Sequence, residues 1–275
     1  MPLPLVIGHR GARRLAVENS LQSLHIALAE GADGVECDVQ LSQDGELLIF
    51  HDDDLRRLCF RPERISQLTW KEIRGLLAAD ADLKPQPIAH LDQVLELATA
   101  GNKTWNFELK VDRTGQGNGL LLAETFERKT ANLQRQNWLV SSFDKEPLQR
   151  LTQHRAQLRL AALIDNAQPC PWWPLLGQTA AELALQPARR EQQAAALQLD
   201  ASLPPVDVPL YACNPYHAHV TPARAALWQA RKWQIWPWTV NDPRRWEYLV
   251  QQPIEAIITD EPLGLLKFLS ANRLR

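Results

Sequence analysis

The chain has 275 residues, 45% of them hydrophobic, and a formal net charge of −2 from 30 basic and 32 acidic side chains. That apolar fraction, with so little net charge, excludes an intrinsically disordered chain. The near-neutral balance gives no reason to expect nucleic acid or an acidic membrane surface as partner.

Apolar β-rich runs alternate with runs of helical period from end to end. Leu5–Gly8 reads as a strand, residues 20–30 as a helix and Gly34–Leu41 as a second strand. Asp44-Gly45 separates that strand from the apolar run 47–50, which is a type I′ hairpin signal. A two-residue turn centred between them sets Asp38 across from His51. Residues 87–100 place apolar side chains at helical spacing. A strand follows at 104–110, a helix at 120–131, a strand at Trp138–Ser142, a helix at 145–153 and a strand at Arg159–Ile164. Residues 166–205, rich in Ala, Gln and Pro, are too long for one connection. They read as an insertion on the outside or rim of the fold, with its better helix at 189–199. The alternation resumes with a strand at 208–213, a helix at 222–232, a strand at 234–240, a helix at 243–250, a strand at 255–259 and the helix Pro262–Ala271. Asn19 or Ser20, Asp144, Thr221, Asp242 and Asp260 stand where helix N-caps belong.

Strands beginning near residues 5, 34, 104, 138, 159, 208, 234 and 255 make eight, each followed by a helical run. Eight such units predict parallel βαβ pairing and closure into a (β/α)8 TIM barrel, in one domain spanning residues 1–275. A doubly wound open sheet is the runner-up, but no GxGxxG follows the first strand. No apolar run approaches the roughly 20 residues needed to span a bilayer. The start, Met1-Pro2-Leu3-Pro4-Leu5, has no basic region and soon meets His9-Arg10, so no signal peptide is expected and a cytoplasmic location is. Cys37, Cys59, Cys170 and Cys213 form no CxxC pair and read as reduced structural thiols.

In such a barrel the working residues lie at the C-terminal ends of the strands. The first strand ends in His9-Arg10, the second carries Glu36 and Asp38, the hairpin return ends in His51-Asp52, and the third carries Glu108 and Lys110. Side chains two apart on a strand share a face. If that face is the interior, three carboxylates and a lysine meet at one rim beside two histidines and an arginine. Three converging carboxylates repel one another unless a cation lies between them, and an all-oxygen set favours Mg²⁺ or Ca²⁺. Two histidines beside a metal suit general acid–base work, and Arg10 and Lys110 suit a phosphate. The set points to metal-assisted hydrolysis of an anionic phosphoester.

The segment HRGARRLAVENSLQSLHIALAEGADGVECDVQLSQDGELLIFHDD, residues 9–53, closely resembles the glycerophosphodiester phosphodiesterases, with their HRG, EN, ExD, DG and HD in order. Further along, Glu108-Leu109-Lys110 matches that family's ExK and Ser141-Ser142-Phe143 its SSF. Asn214 matches an Asn-bearing strand end, Trp238–Asn241 its WTVN and Ile258–Asp260 its ITD. The resemblance implies a TIM barrel that cleaves glycerophosphodiesters to glycerol 3-phosphate and an alcohol, with one divalent cation, Mg²⁺ or Ca²⁺. It implies His9 and His51 as the acid–base pair, Glu36, Asp38 and Glu108 as metal ligands, Arg10 and Lys110 on the phosphate, and Trp238 beside the glycerol or alcohol. The chain is similar to the cytoplasmic bacterial branch. It departs from the family at Val17, where the family has Pro, and at residues 55–60, where the family has a Thr/Gly-rich stretch.

Blander readings exist for each residue. Arg10 can pair structurally with a carboxylate, and Trp238 can be core. Asn19 reads as an N-cap, Glu18 as a buried partner of the first loop, and Asp260 as the cap of the last helix, with Pro262 in its first turn. Two other functions compete: a phospholipase D-like or lyase reaction on lysolipids giving a cyclic phosphate, and a non-catalytic binding barrel. The second requires a missing histidine or carboxylate, and none is missing. A small-molecule phosphodiester is the expected partner, with self-association left open.

Overall fold

In the computed structural model, residues 3–112, 118–133, 137–154, 158–165 and 207–272 are described. The 166–205 insertion, with its helix at 189–199, lies outside them. Eight parallel strands form the frame: β1 (Leu5–Gly8), β2 (Gly34–Leu41), β7 (Thr104–Leu109), β8 (Trp138–Ser142), β9 (Arg159–Ile164), β10 (Ala212–Pro215), β11 (Gln234–Ile235) and β12 (Ala256–Thr259). They pair in the order β11-β10-β9-β8-β7-β2-β1-β12. The ring closes from β12 back to the β11 segment. Glu255 N donates to Ile235 O at 3.2 Å, Ile258 N to Pro237 O at 3.0 Å, and Val240 N to Ile258 O at 3.0 Å. The expected (β/α)8 barrel is therefore the fold.

Alternation along each strand sorts the side chains into two regions. Val35, Cys37 and Val39 of β2, and Trp105, Phe107 and Leu109 of β7, join the core between the strands and the helices. The opposite face turns inward. Ile7, Leu139, Ala161, Ala212, Trp236, Ala256 and Ile258 fill the barrel interior. Glu36, Asp38 and Glu108 are buried on this inward face as well.

The outer helices are α1 (Leu21–Ala29), α4 (Leu91–Thr99), α5 (Gly119–Thr130), α6 (Lys145–His154), α7 (Pro222–Ala230), α8 (Pro243–Leu249) and α9 (Pro262–Ala271). Ser20 rather than Asn19 caps α1, accepting from Ser23 N. Thr221 and Asp242 cap α7 and α8 as expected. Between β2 and α4 the chain makes an excursion: β3 (Leu47–Ile49), the short helices α2 (Arg56–Cys59) and α3 (Trp70–Ile73), and strands β4 (Leu77–Ala78), β5 (Gln86–Pro87) and β6 (Ala89–His90). It has its own small core of Val17, Leu48, Phe50, Leu55, Leu58, Ile65 and Ile73.

Three expectations shift. The β2–β3 hairpin turns through three residues, not two. Leu41 pairs with Leu47 and Val39 with Ile49, so Asp38 faces Phe50, one residue short of His51. Ser42 sets the longer turn: its Oγ accepts from Glu46 N and donates to Asp44 Oδ1, while Gly45 takes φ 81°. The helix expected from residue 87 starts at Leu91. Ala89–His90 pairs with β3, and His90 Nδ1 then accepts from Asp92 N as a cap. The strand expected at 208–213 lies at Ala212–Pro215. Pro209 lacks an amide donor, and the ladder takes hold only where Tyr211 N meets Leu160 O at 2.8 Å. Pro215 can end the ladder because Tyr216 N, next along, reaches Ile164 O at 2.7 Å.

Candidate active site

β1, β2 and β7 are neighbours in the ring, so their strand ends bring distant residues to one mouth. Asp38 and Glu108 are direct partners in the β2–β7 register, and Glu36 lies one step below Asp38 on the same face. One oxygen from each of Glu36, Asp38 and Glu108 lies within 4.8 Å of the others. All three carboxylates are buried. Burial, with Asp38 and Glu108 beside it, pushes Glu36 well above the usual carboxylate range. Burial also raises Glu108, against the pull of Lys110. Asp38 goes the other way: Arg10, His51 and Lys110 overcome its burial and hold it low. Asn19 brackets Asp38, donating from Nδ2 to Oδ2 at 2.8 Å and accepting from its amide at 3.1 Å. Among the described residues, Glu36 Oε1 and Asp38 Oδ1 are buried with no hydrogen-bond partner. Oxygens left in this condition are costly unless something else is bound to them. The trio is a hard-donor set that fits a divalent cation.

Two histidines flank it. His9 Nδ1 sits 2.7 Å from Asp260 Oδ1, and His51 Nδ1 sits 2.7 Å from Asp52 Oδ1. An ionised carboxylate at Nδ1 makes that nitrogen the donor, which leaves Nε2 of a neutral ring with its lone pair. His9 Nε2 lies 4.0 Å from Glu36 Oε2. Burial and the Arg10 charge lower His9 to about 4, so it is neutral at pH 7. Gln40 fixes the segment that carries His51, donating to Phe50 O and Asp52 O, each at 2.8 Å.

The cations are also engaged. Lys110 Nζ lies 2.8 Å from Glu108 Oε1 and 3.7 Å from Asp38 Oδ1. Arg10 bonds Glu18 through Nη1 at 2.8 Å and lies 3.1 Å from Asp38 Oδ2 through Nε. The structural pairing is thus made, while Arg10 still lines the cavity. That cavity is about 840 Å³, with His9, Arg10, Glu36, His51, Glu108, Lys110 and Trp238 in its wall. Trp238 donates from Nε1 to Asn214 O and packs edge-on to Phe143, ring centres 5.5 Å apart.

The model of the glycerophosphoryl diester phosphodiesterase family matches residues 9–263. The chain belongs to this family. It is 25% identical over 273 residues to a glycerophosphodiester phosphodiesterase of Caldanaerobacter subterraneus, covering 95% of this chain and 96% of that one. The fold is similar to that of a phosphodiesterase from Oleispira antarctica solved with its product sn-glycerol-3-phosphate. The TM-score is 0.74 at 23% identity, over 98% of this chain and 97% of that one. It is also similar to a glycerophosphodiester phosphodiesterase from Thermotoga maritima, at TM-score 0.66 and 22% identity over 96% and 97% of the two chains.

The phosphodiesterase thus brings all eight residues singled out from its sequence to one mouth. Reasoning from sequence missed the aspartates behind the histidines. Asp260 is not the cap of α9: it turns to His9, and Asn241 Nδ2 donates to its other oxygen at 2.7 Å. The position before Pro262 is Glu261, which makes no side-chain cap bond. The signal available was the ITD match, read instead as a helix start. Among the described residues of this phosphodiesterase, no helix is long and apolar enough to cross a membrane.

Proposed function

We propose that the chain hydrolyses glycerophosphodiesters to glycerol 3-phosphate and an alcohol, using a divalent cation and two histidines, with residues 1–275 acting as one domain. The observation that carries this reading is the placement of two aspartate-backed histidines around a buried carboxylate trio in one cavity. Family membership, and the product in the Oleispira antarctica neighbour, support the substrate class.

Glu36, Asp38 and Glu108 hold the cation, Mg²⁺ or Ca²⁺, which when bound supplies Lewis-acid polarisation of the phosphoryl oxygens. Lys110 and Arg10 give the phosphate positive neighbours. One histidine Nε2 accepts a proton from the nucleophile as its oxygen bonds to phosphorus, the nucleophile being water directly or first the substrate's own glycerol hydroxyl, whose cyclic phosphate water then opens. The ester P–O bond breaks, and the other histidine's Nε2–H gives its proton to the leaving alkoxide. Asp260 and Asp52 fix the ring orientations and stabilise each ring while it is charged. Trp238 walls the glycerol or alcohol side.

The test is turnover of glycerophosphocholine, glycerophosphoethanolamine and glycerophosphoglycerol with Mg²⁺ and with Ca²⁺, read by phosphorus NMR. Glycerol 3-phosphate is the expected product; accumulation of a cyclic phosphate would move the chemistry to the lyase class. His9→Ala and His51→Ala should each lower turnover about 10²–10⁴-fold, the range for a general acid or base. EDTA should abolish it. Wild-type rates in either variant, or insensitivity to EDTA, would remove the histidine or the metal from the mechanism.

A further inference from the structure

Glu18 is a fully buried carboxylate that the chemistry above does not use. Three guanidinium groups converge on it. Its Oε1 accepts from Arg10 Nη1 at 2.8 Å and from Arg57 Nη2 at 2.6 Å. Its Oε2 accepts from Arg57 Nη1 at 3.1 Å and lies 3.0 Å from Arg13 Nη2. Two carboxylate oxygens offer about four lone-pair directions; three hydrogen bonds occupy them here, and the Arg13 charge lies beside Oε2.

Two of those arginines reach onward. Arg57, on α2, turns its other edge to Asp52, with Nε at 2.6 Å from Oδ2 and Nη2 at 3.1 Å from Oδ1. Asp52 in turn holds His51 Nδ1. Arg13 places Nε 3.7 Å from Asp260 Oδ1, and Asp260 holds His9 Nδ1. A continuous path therefore runs His51–Asp52–Arg57–Glu18–Arg13–Asp260–His9. It crosses from the excursion to both ends of the barrel sequence through a single acid.

We infer that Glu18 is a positioning residue that sets the orientation of both histidines at once, through Arg57 and Asp52 on one arm and Arg13 and Asp260 on the other. This rests on the proposed roles of the two histidines. The arms differ in strength. Asn241 gives Asp260 a second anchor. Among the described residues, the Asp52 carboxylate receives hydrogen bonds only from Arg57 and His51. Loss of Glu18 therefore disturbs His51 more than His9. A guanidinium is required at residue 57 because a single ammonium cannot bridge two carboxylates with a planar fork.

The experiment is proton–nitrogen NMR of the histidine-labelled protein without substrate, following the two Nδ1–H signals assigned with His9→Ala and His51→Ala, alongside kinetics with the cation present. Arg57→Gln should shift or broaden the His51 signal alone, and Arg57→Lys should not restore it. Arg13→Gln should affect the His9 signal alone. Glu18→Gln should affect both, His51 the more. Turnover in Arg57→Gln should fall about 10²-fold with KM little changed, as expected for an ångström-scale misplacement of a reacting group. A folded Glu18→Gln with lowered Tm but both signals in place would make Glu18 merely structural and overturn the inference. If that variant does not fold, wild-type His51 signal and kcat in Arg57→Gln overturn it equally. The NMR result is independent of the reaction: if both histidine variants kept full turnover, the catalytic reading would fail while the positional coupling was still measured.

Discussion

At the residue scale, the site is built from charges that would be costly alone and are tolerable together. Glu18 is the clearest case. Burial opposes its ionisation, but the Arg57 hydrogen bonds and the charges of Arg10, Arg13 and Arg57 lower it from 4.5 to about 2. A depressed carboxyl contributes stability that is complete above its unfolded pKa and disappears as pH falls through the folded value. For Glu18 that contribution is on the order of 3 kcal/mol. The Tm gap between wild type and Glu18→Gln should therefore be full at neutral pH, narrow below about pH 4.5, and flatten near pH 2. The other site carboxylates titrate in both proteins and cancel to first order. A pH-independent gap in thermal melts would show that Glu18 is not held ionised by its arginines. Of the eight residues legible in the sequence, Glu36 with Asp38 and Glu108 with Lys110 are those a strand's own period exposes. Asp260 was illegible because its partner, His9, is 251 positions away, and the local Asp-x-Pro pattern spells a helix start.

At the element scale, two glycines in left-handed conformation do different work. Gly45 has φ 81° in the hairpin turn, and an added Cβ meets nothing within 4 Å. Gly11 has φ 84°, and an added Cβ would lie 2.4 Å from the Ser23 carbonyl carbon in α1. Gly45→Ala should therefore cost only the backbone strain, about 1–2 kcal/mol. Gly11→Ala must also push α1 away from the loop whose Arg10 amide donates to Glu36 at 2.9 Å. Its loss of Tm should be clearly larger and accompanied by a fall in kcat, whereas Gly45→Ala should keep kcat. Equal melting losses, or a larger kinetic loss in Gly45→Ala, would contradict this. Here too the sequence was readable to a limit. Asp44-Gly45 announced a turn, but its length depended on the Ser42 hydroxyl closing onto Glu46, and that one residue decided whether Asp38 faced His51 or Phe50. Strand β10 slipped for a similar reason. Valine, leucine and tyrosine mark an apolar run, while the ladder is set by which amides can donate.

At the scale of the whole molecule, eight strands in rhythm were enough to read the barrel, because closure is the economical way to bury their shared face. Closure is also what creates the electrostatic problem at its mouth. Glu36 and Asp38 from β2 and Glu108 from β7 are held together by the ring's register, not by attraction for one another. Without a cation, burial and its two neighbouring carboxylates push Glu36 up, which works against its charged form and toward the neutral one. A glutamine is the near-isostere of that form. Glu36→Gln should therefore leave the metal-free Tm close to wild type. The wild-type protein should instead gain stability when Mg²⁺ or Ca²⁺ is added, by about 2.7 kcal/mol at a hundredfold excess over Kd, which is several degrees in a chain of this size. The same titration on Glu36→Gln should give a much smaller rise, since one charged ligand is gone. Thermal melts with and without each cation separate the possibilities. An equal rise in both proteins would place the cation elsewhere, and a large metal-free loss in Glu36→Gln would mean that the carboxylate, not the cation, holds this part of the barrel together.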